Sequence, residues 1–145
     1  MKKFLNSASA MLSIALIWGC TWGGLSVVTG IILESFSPFS LEKHVDPMAA
    51  IAMPGFFMGI IFYWIIRINQ GSIRISSYSL QRLLMWGAVI GLAAGSLTPL
   101  LGTPNPNYEF WQIILTLATS STILSMIAAL ATGIIFRFTE KHSKF

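Results

Sequence analysis

MLSIALIWGCTWGGLSVVTGIIL, Met11 to Leu33, runs without a single charge and decides how the chain is read. A helix rises 1.5 Å per residue, so about 20 apolar residues cross the roughly 30 Å hydrocarbon layer of a bilayer. This stretch is long enough. Inside it Trp18 and Trp22 stand four apart, as do Gly19 and Gly23. In a helix each pair lies on one face, giving a small-residue groove beside an aromatic ridge.

Working outward, three further uncharged runs are also long enough: about 47–66, 83–102 and 111–136, the last being the longest. The chain as a whole is 54% hydrophobic and 10% charged, and its mean hydropathy is +0.73. Soluble domains carry about 25% charged residues, so a soluble fold would struggle to cover its core. The expectation is an all-α fold, an integral membrane bundle of four transmembrane helices in one domain spanning 1–145.

The net charge of +4 follows the ends of these runs. It does not gather on one polar face, as nucleic-acid binding would require. Lys2 and Lys3 precede the first run. Arg67, Arg74 and Arg82 separate the second from the third, and Arg137, Lys141 and Lys144 follow the fourth. Only Lys43 falls on the other side. The positive-inside rule then places both termini and the middle loop in the cytoplasm. Tyr63, Trp64, Tyr78 and Trp86 are expected near the inner headgroups, Tyr108 and Trp111 near the outer ones. Asp46-Pro47 reads as N-cap and first residue of the second helix. TPNPN, Thr103 to Asn107, reads as a turn with Asn107 capping the fourth.

The opening residues through Cys20 resemble a bacterial lipoprotein signal, with a basic start, an apolar stretch and Gly19 before the cysteine. Bulky Trp18 and the further apolar residues to Leu33 argue against it. The preferred reading of Cys20 is a small buried residue in a spanning helix.

Small residues four apart recur in every run: Gly19 and Gly23; Gly55 and Gly59; Gly87, Gly91 and Gly95; Ser121, Ser125, Ala129 and Gly133. Helices in lipid associate by close packing, which small residues permit. These are the candidate helix-packing positions, with Trp22 over a glycine groove and its N–H bonded to another helix. Leu16-Ile17-Trp18-Gly19 recurs as Leu84-Met85-Trp86-Gly87. Two helical hairpins in parallel repeat would produce this, and so would chance. Pro54 and Pro99 fall within spans, where a bundle tolerates a kink.

Intramembrane charge marks ion or substrate handling, and no run contains any. Small multidrug-resistance transporters share the four spans but rely on an embedded glutamate, for which this chain has no counterpart. Ile17-Trp18-Gly19 also resembles the start of drug/metabolite transporter repeats over those few residues. Thr116, Thr119, Ser120, Ser121, Thr122 and Ser125 form a hydroxyl cluster in the fourth run. Thr119, Ser120 and Thr122 are candidates for a polar cavity. Bonding to helix carbonyls is the preferred reading. Glu42, Lys43, His44 and Asp46 read as a solvated outer loop, with a metal site as the less favoured alternative. No catalytic set, phosphate loop or cofactor motif is found, so no cofactor, metal or enzymatic activity is expected.

At Ser79-Leu80-Gln81-Arg82-Leu83-Leu84-Met85-Trp86-Gly87-Ala88-Val89-Ile90-Gly91-Leu92 the chain resembles a group of small four-span bacterial inner-membrane proteins. These carry a Trp-Gly motif in the first span and a Ser-Leu-x-Arg lead into the third. The resemblance implies a multi-pass inner-membrane chain and supplies no site residues. The expected function is a non-enzymatic accessory or assembly subunit working through helix–helix contacts. Its expected partners are the lipid bilayer and other membrane subunits or itself, without nucleic acid. The alternative is a small transporter or channel for a neutral or lipidic solute.

Overall fold

The charge-free runs form helices, and the helices outrun them. A computed structural model describes residues 2–36, 45–70, 78–101 and 109–142. They form α1 (Lys2–Phe36), α2 (Val45–Gln70), α3 (Leu80–Leu101) and α4 (Phe110–His142). No strand occurs among the described residues. All four helices are long and apolar enough to cross a membrane. The extensions have a simple cause. Residues 2–10 and 137–142 contain polar groups but neither glycine nor proline. Apolarity ends there, while helix propensity does not.

Within what the sequence reads as one domain, the chain divides into two compact units, Met1–Ile73 and Arg74–Phe145. Each is an antiparallel helical hairpin, α1 on α2 and α3 on α4. The described ends are capped from the sequence. At α3 the Ser79 carbonyl accepts from Arg82 N and Leu83 N, at 3.0 and 3.2 Å. The Ser79 hydroxyl also accepts from Arg82 N, at 3.3 Å, as an N-cap serine does. At α4 the cap is Glu109; Asn107, the expected cap, lies outside the described residues. Glu109 N donates to Gln112 Oε1 at 3.3 Å, the return half of a capping box. Trp111 Nε1 donates to the Glu109 carboxylate. The bounds of α2 put Asp46 and Pro47 inside its first turn, two residues further in than expected. That shift is within the ordinary fraying of a helix end. Pro54 lies inside α2, which continues through it.

The buried positions trace one stripe per helix. In α1 they are Ser7, Ile14, Ala15, Trp18 and Trp22. In α2 they are Gly55, Gly59, Phe62, Tyr63 and Ile66. In α3 they are Leu83, Gly87, Ile90, Gly91 and Gly95. In α4 they are Ala118, Ser121, Ser125, Ala128, Ala129, Thr132 and Gly133. Spacings of three and four keep each stripe on one side of its helix. The opposite faces carry large exposed apolar side chains, including Leu12, Leu16, Met53, Phe57, Val89, Leu92, Leu115 and Ile123. A soluble hairpin would put charges there, whereas a lipid-facing one puts apolar side chains there.

Candidate functional site

The two hairpin seams solve the packing problem differently. In the first, aromatic side chains of α1 lie on glycines of α2. A Cβ added at Gly55 would come 2.7 Å from Trp22 Cβ and Cγ. One at Gly59 would come 2.9 Å from Trp18 Cβ and 2.8 Å from Ala15 Cα. Trp18 is fully buried and packs its ring on Phe62, centroids 4.9 Å apart. Gly19 and Gly23 meet Ala52 and Phe56 at looser distances, 3.1 Å or more. The expected glycine groove under Trp22 is therefore supplied by Gly55 of the neighbouring helix.

In the second hairpin, small residues meet small residues. A Cβ at Gly87 would lie 2.7 Å from the Ser125 carbonyl oxygen and 2.9 Å from Ala129 Cβ. One at Gly91 would lie 2.6 Å from Thr122 Cα and 2.8 Å from the Ser121 carbonyl carbon. One at Gly95 would overlap Leu117, Ala118 and Ser121. Gly133 takes Leu83 Cδ1 at 2.6 Å. Backbone faces backbone along this seam, and Ser121 Oγ donates across it to the Gly91 carbonyl at 2.6 Å. Such close approach is what small residues allow between helices in lipid.

The Trp-Gly recurrence is therefore not a recurrence of packing. In α1 the tryptophan, Trp18, faces the partner helix; in α3 the glycine, Gly87, does, and Trp86 is only half-buried. Adjacent helical positions differ by about 100°, so the two motifs present different faces to their seams.

Two expectations about polar side chains need correction. The Trp22 N–H finds no partner among the described residues, nor does that of Trp18 or the Ser125 hydroxyl, and all three are buried. Van der Waals packing, not a donor's need, sets the position of Trp22. Cys20 is exposed, not buried, because it falls two residues from both Trp18 and Trp22 on the far side of α1. Tyr63 and Tyr78 turn into their hairpins, whereas Trp64 and Trp111 are exposed.

The hydroxyls of α4 divide by face. Thr122 donates to the Ala118 carbonyl at 2.6 Å and Thr132 to Ala128 at 2.8 Å, each one turn back in its own helix. Ser121 adds a bond to Leu117 at 2.6 Å. Thr116, Thr119 and Ser120 are exposed on the face turned away from α3. Of the cavity candidates, then, Thr122 is committed to backbone, while Thr119 and Ser120 share the outer face.

A polar cluster that the sequence reading missed closes one end of the first hairpin. Arg67 Nη1 donates to Ser7 Oγ at 2.7 Å and to Tyr63 OH at 3.2 Å. Ser7 and Tyr63 share a hydrogen bond of 2.5 Å, and the guanidinium lies 5.3 Å from the centroid of the Trp64 ring. The i, i+4 spacing of Tyr63 and Arg67 was visible in the sequence. Ser7, 56 positions from Tyr63, was not connected to them by any local pattern. In the second hairpin Arg137 Nη2 reaches the Tyr78 carbonyl at 2.6 Å. Burial pushes the Tyr78 phenol above the usual tyrosine range, with Arg82 partly opposing, so it stays protonated at neutral pH.

Among the described residues no group of three or more His, Cys, Asp or Glu could hold a metal. Glu42, Lys43 and His44, the Asp46 side chain and the Thr103–Asn107 turn lie outside what the structure describes. No protein family matches the chain, and no curated protein or solved structure matches it either.

Proposed function

We propose that the chain is a four-span protein of a bacterial inner membrane, with both termini cytoplasmic. It acts without catalysis, as an accessory or assembly subunit or a homo-oligomer, through contacts of its helices with other membrane helices. The observation that carries this reading is how each hairpin spends its groups. The stripe glycines Gly55, Gly59, Gly87, Gly91, Gly95 and Gly133 are each filled by the hairpin's own partner helix. Most polar side chains of the seams bond within the hairpin. What remains to offer a neighbour is the outer, apolar face of each helix. The glycine stripes are therefore not the contact surface; the outer faces, including that of Cys20 and Gly24, are. Gentle extraction from the native membrane followed by native mass measurement tests this. A complex with a further chain, or a defined homo-oligomer, is the expected result. A lone monomer would overturn it.

A second reading, a small transporter or channel for a neutral or lipidic solute, draws on the exposed hydroxyls of Thr116, Thr119 and Ser120. Cysteine introduced at Ser120 discriminates the two. Rapid labelling by a charged, water-soluble thiol reagent, with native Cys20 replaced by Ser, would favour a wetted path.

A further inference from the structure

Arg67 occupies the last turn of α2, where the helix dipole favours a cation. Its two hydrogen bonds, to Ser7 and Tyr63, have neutral acceptors. The acids of this hairpin are remote from it in sequence. Glu34 lies near the far end of α1, about 40 Å from Ser7 at 1.5 Å per residue. Asp46 lies about 30 Å back along α2, and Glu42 falls between the two in sequence. The guanidinium is thus fixed in place and has no counter-charge among the described residues of its own hairpin. Both bonds leave from Nη1, so the Nη2–Nε edge of the fork is the edge a phosphate takes in bidentate fashion. Ser7 opens the apolar stretch Ser7–Val28, and Arg67 stands near the end of the stretch Ala52–Asn69. Both therefore lie at the depth of the headgroups if these helices span a bilayer. Trp64, 47% exposed, flanks the guanidinium with a ring type that favours that depth.

We propose that Ser7, Tyr63 and Arg67 form a phosphate subsite that holds the headgroup of an anionic phospholipid. The proposal rests on the spanning part of the reading above and not on the accessory role. Arg67 supplies charge and the bidentate edge. Ser7 and Tyr63 are positioning residues that hold the fork in one orientation, which a freely snorkelling arginine would lack.

The full-length chain in a neutral detergent is unfolded by heat while phosphatidylglycerol, phosphatidylcholine or inorganic phosphate is titrated in. Phosphatidylglycerol is expected to raise the midpoint, and phosphatidylcholine is not. Arg67→Gln should abolish the shift. Ser7→Ala and Tyr63→Phe keep the charge, and each should weaken the apparent affinity about 2- to 10-fold, the worth of one hydrogen bond. Arg82→Gln, which removes an equal charge from the other hairpin, should bind as the parent does. Protection by inorganic phosphate alone would support the subsite with a soluble phosphate as its occupant. An undiminished phosphatidylglycerol shift in Arg67→Gln would overturn the proposal. So would parental affinity in both Ser7→Ala and Tyr63→Phe, even if Arg67→Gln proved too unstable to purify. Alkaline carbonate washing of the membranes is read separately. Release of the chain there would defeat the spanning reading, whatever the lipid titration gave.

Discussion

At the scale of the residue, the glycines are not equivalent, and distance separates them. A methyl at Gly91 would meet the backbone of Ser121 and Thr122, which has no rotamer to yield, so α3 and α4 must part. Gly24 has nothing within 4 Å of its missing Cβ. Gly91→Ala is therefore expected to cost about 1–3 kcal/mol, the usual price of overpacking, and Gly24→Ala nothing measurable. Unfolding of both variants in mixed micelles reads the difference, and equal stability would remove the seam argument. The serines separate in the same way. Ser121 bonds across the seam to Gly91, whereas Ser125 is buried with no partner among the described residues. Ser121→Ala should lose about 0.6 kcal/mol, the average for an interhelical hydrogen bond in a membrane protein. Ser125→Ala should be neutral or stabilising, since it removes an unpaired polar group. A loss at Ser125 as large as that at Ser121 would mean its hydroxyl has found a partner. The sequence showed the spacing of Ser121 and Ser125 on one face. It could not show which of them finds a carbonyl opposite, because that depends on the axial offset between two helices.

At the scale of the element, apolar length located all four helices, and the small-residue stripes located the inward faces of α2, α3 and α4, whereas in α1 Trp18 and Trp22 face inward and Gly19 and Gly23 flank them. Helix ends were less legible. Residues 2–10 and 137–142 lack breakers, so the helix outlives the apolar run that revealed it. The recurrence of Trp-Gly misled for a related reason. A dipeptide fixes two neighbouring directions about 100° apart, and only the partner helix decides which is inward. Gly59 and Gly55 of α2 receive the side chains of Trp18 and Trp22, while Ser125 and Ala129 of α4 require Gly87. Trp18→Ala should accordingly destabilise the first hairpin by about 3–5 kcal/mol, the range for emptying a large aromatic site. Trp86→Ala, at a half-buried position, should cost much less. Thermal unfolding of the two variants side by side checks this. Similar losses would mean that the two motifs pack alike after all.

At the scale of the whole molecule, charge placement and helix direction bear on each other. Arg67 and Ser7 meet at one end of the first hairpin, and Arg137 and Tyr78 meet at one end of the second. In each hairpin, then, the basic side chain lies at the end that carries the hairpin's own N-terminal segment, away from the α1–α2 or α3–α4 connection. Three segments flank those ends in sequence: Lys2 and Lys3, the stretch bearing Arg74 and Arg82, and Lys141 with Lys144. An antiparallel pair of spanning helices has its connection on one side and both its ends on the other. If each hairpin crosses the bilayer, the positive-inside rule makes the arginine end the cytoplasmic one in both. Reporter fusions at either terminus and beside Ser79 should then be active only as cytoplasmic fusions, and one beside Lys43 only as an external fusion. Moving the excess charge should move the protein with it. Replacing Lys2 and Lys3 by Gln while adding two lysines beside Lys43 is expected to weaken or invert the orientation of the first hairpin. Fusions that read the same before and after that exchange would show that some feature other than loop charge sets the orientation. A C-terminal reporter active only outside would break the even number of crossings that two closed hairpins require.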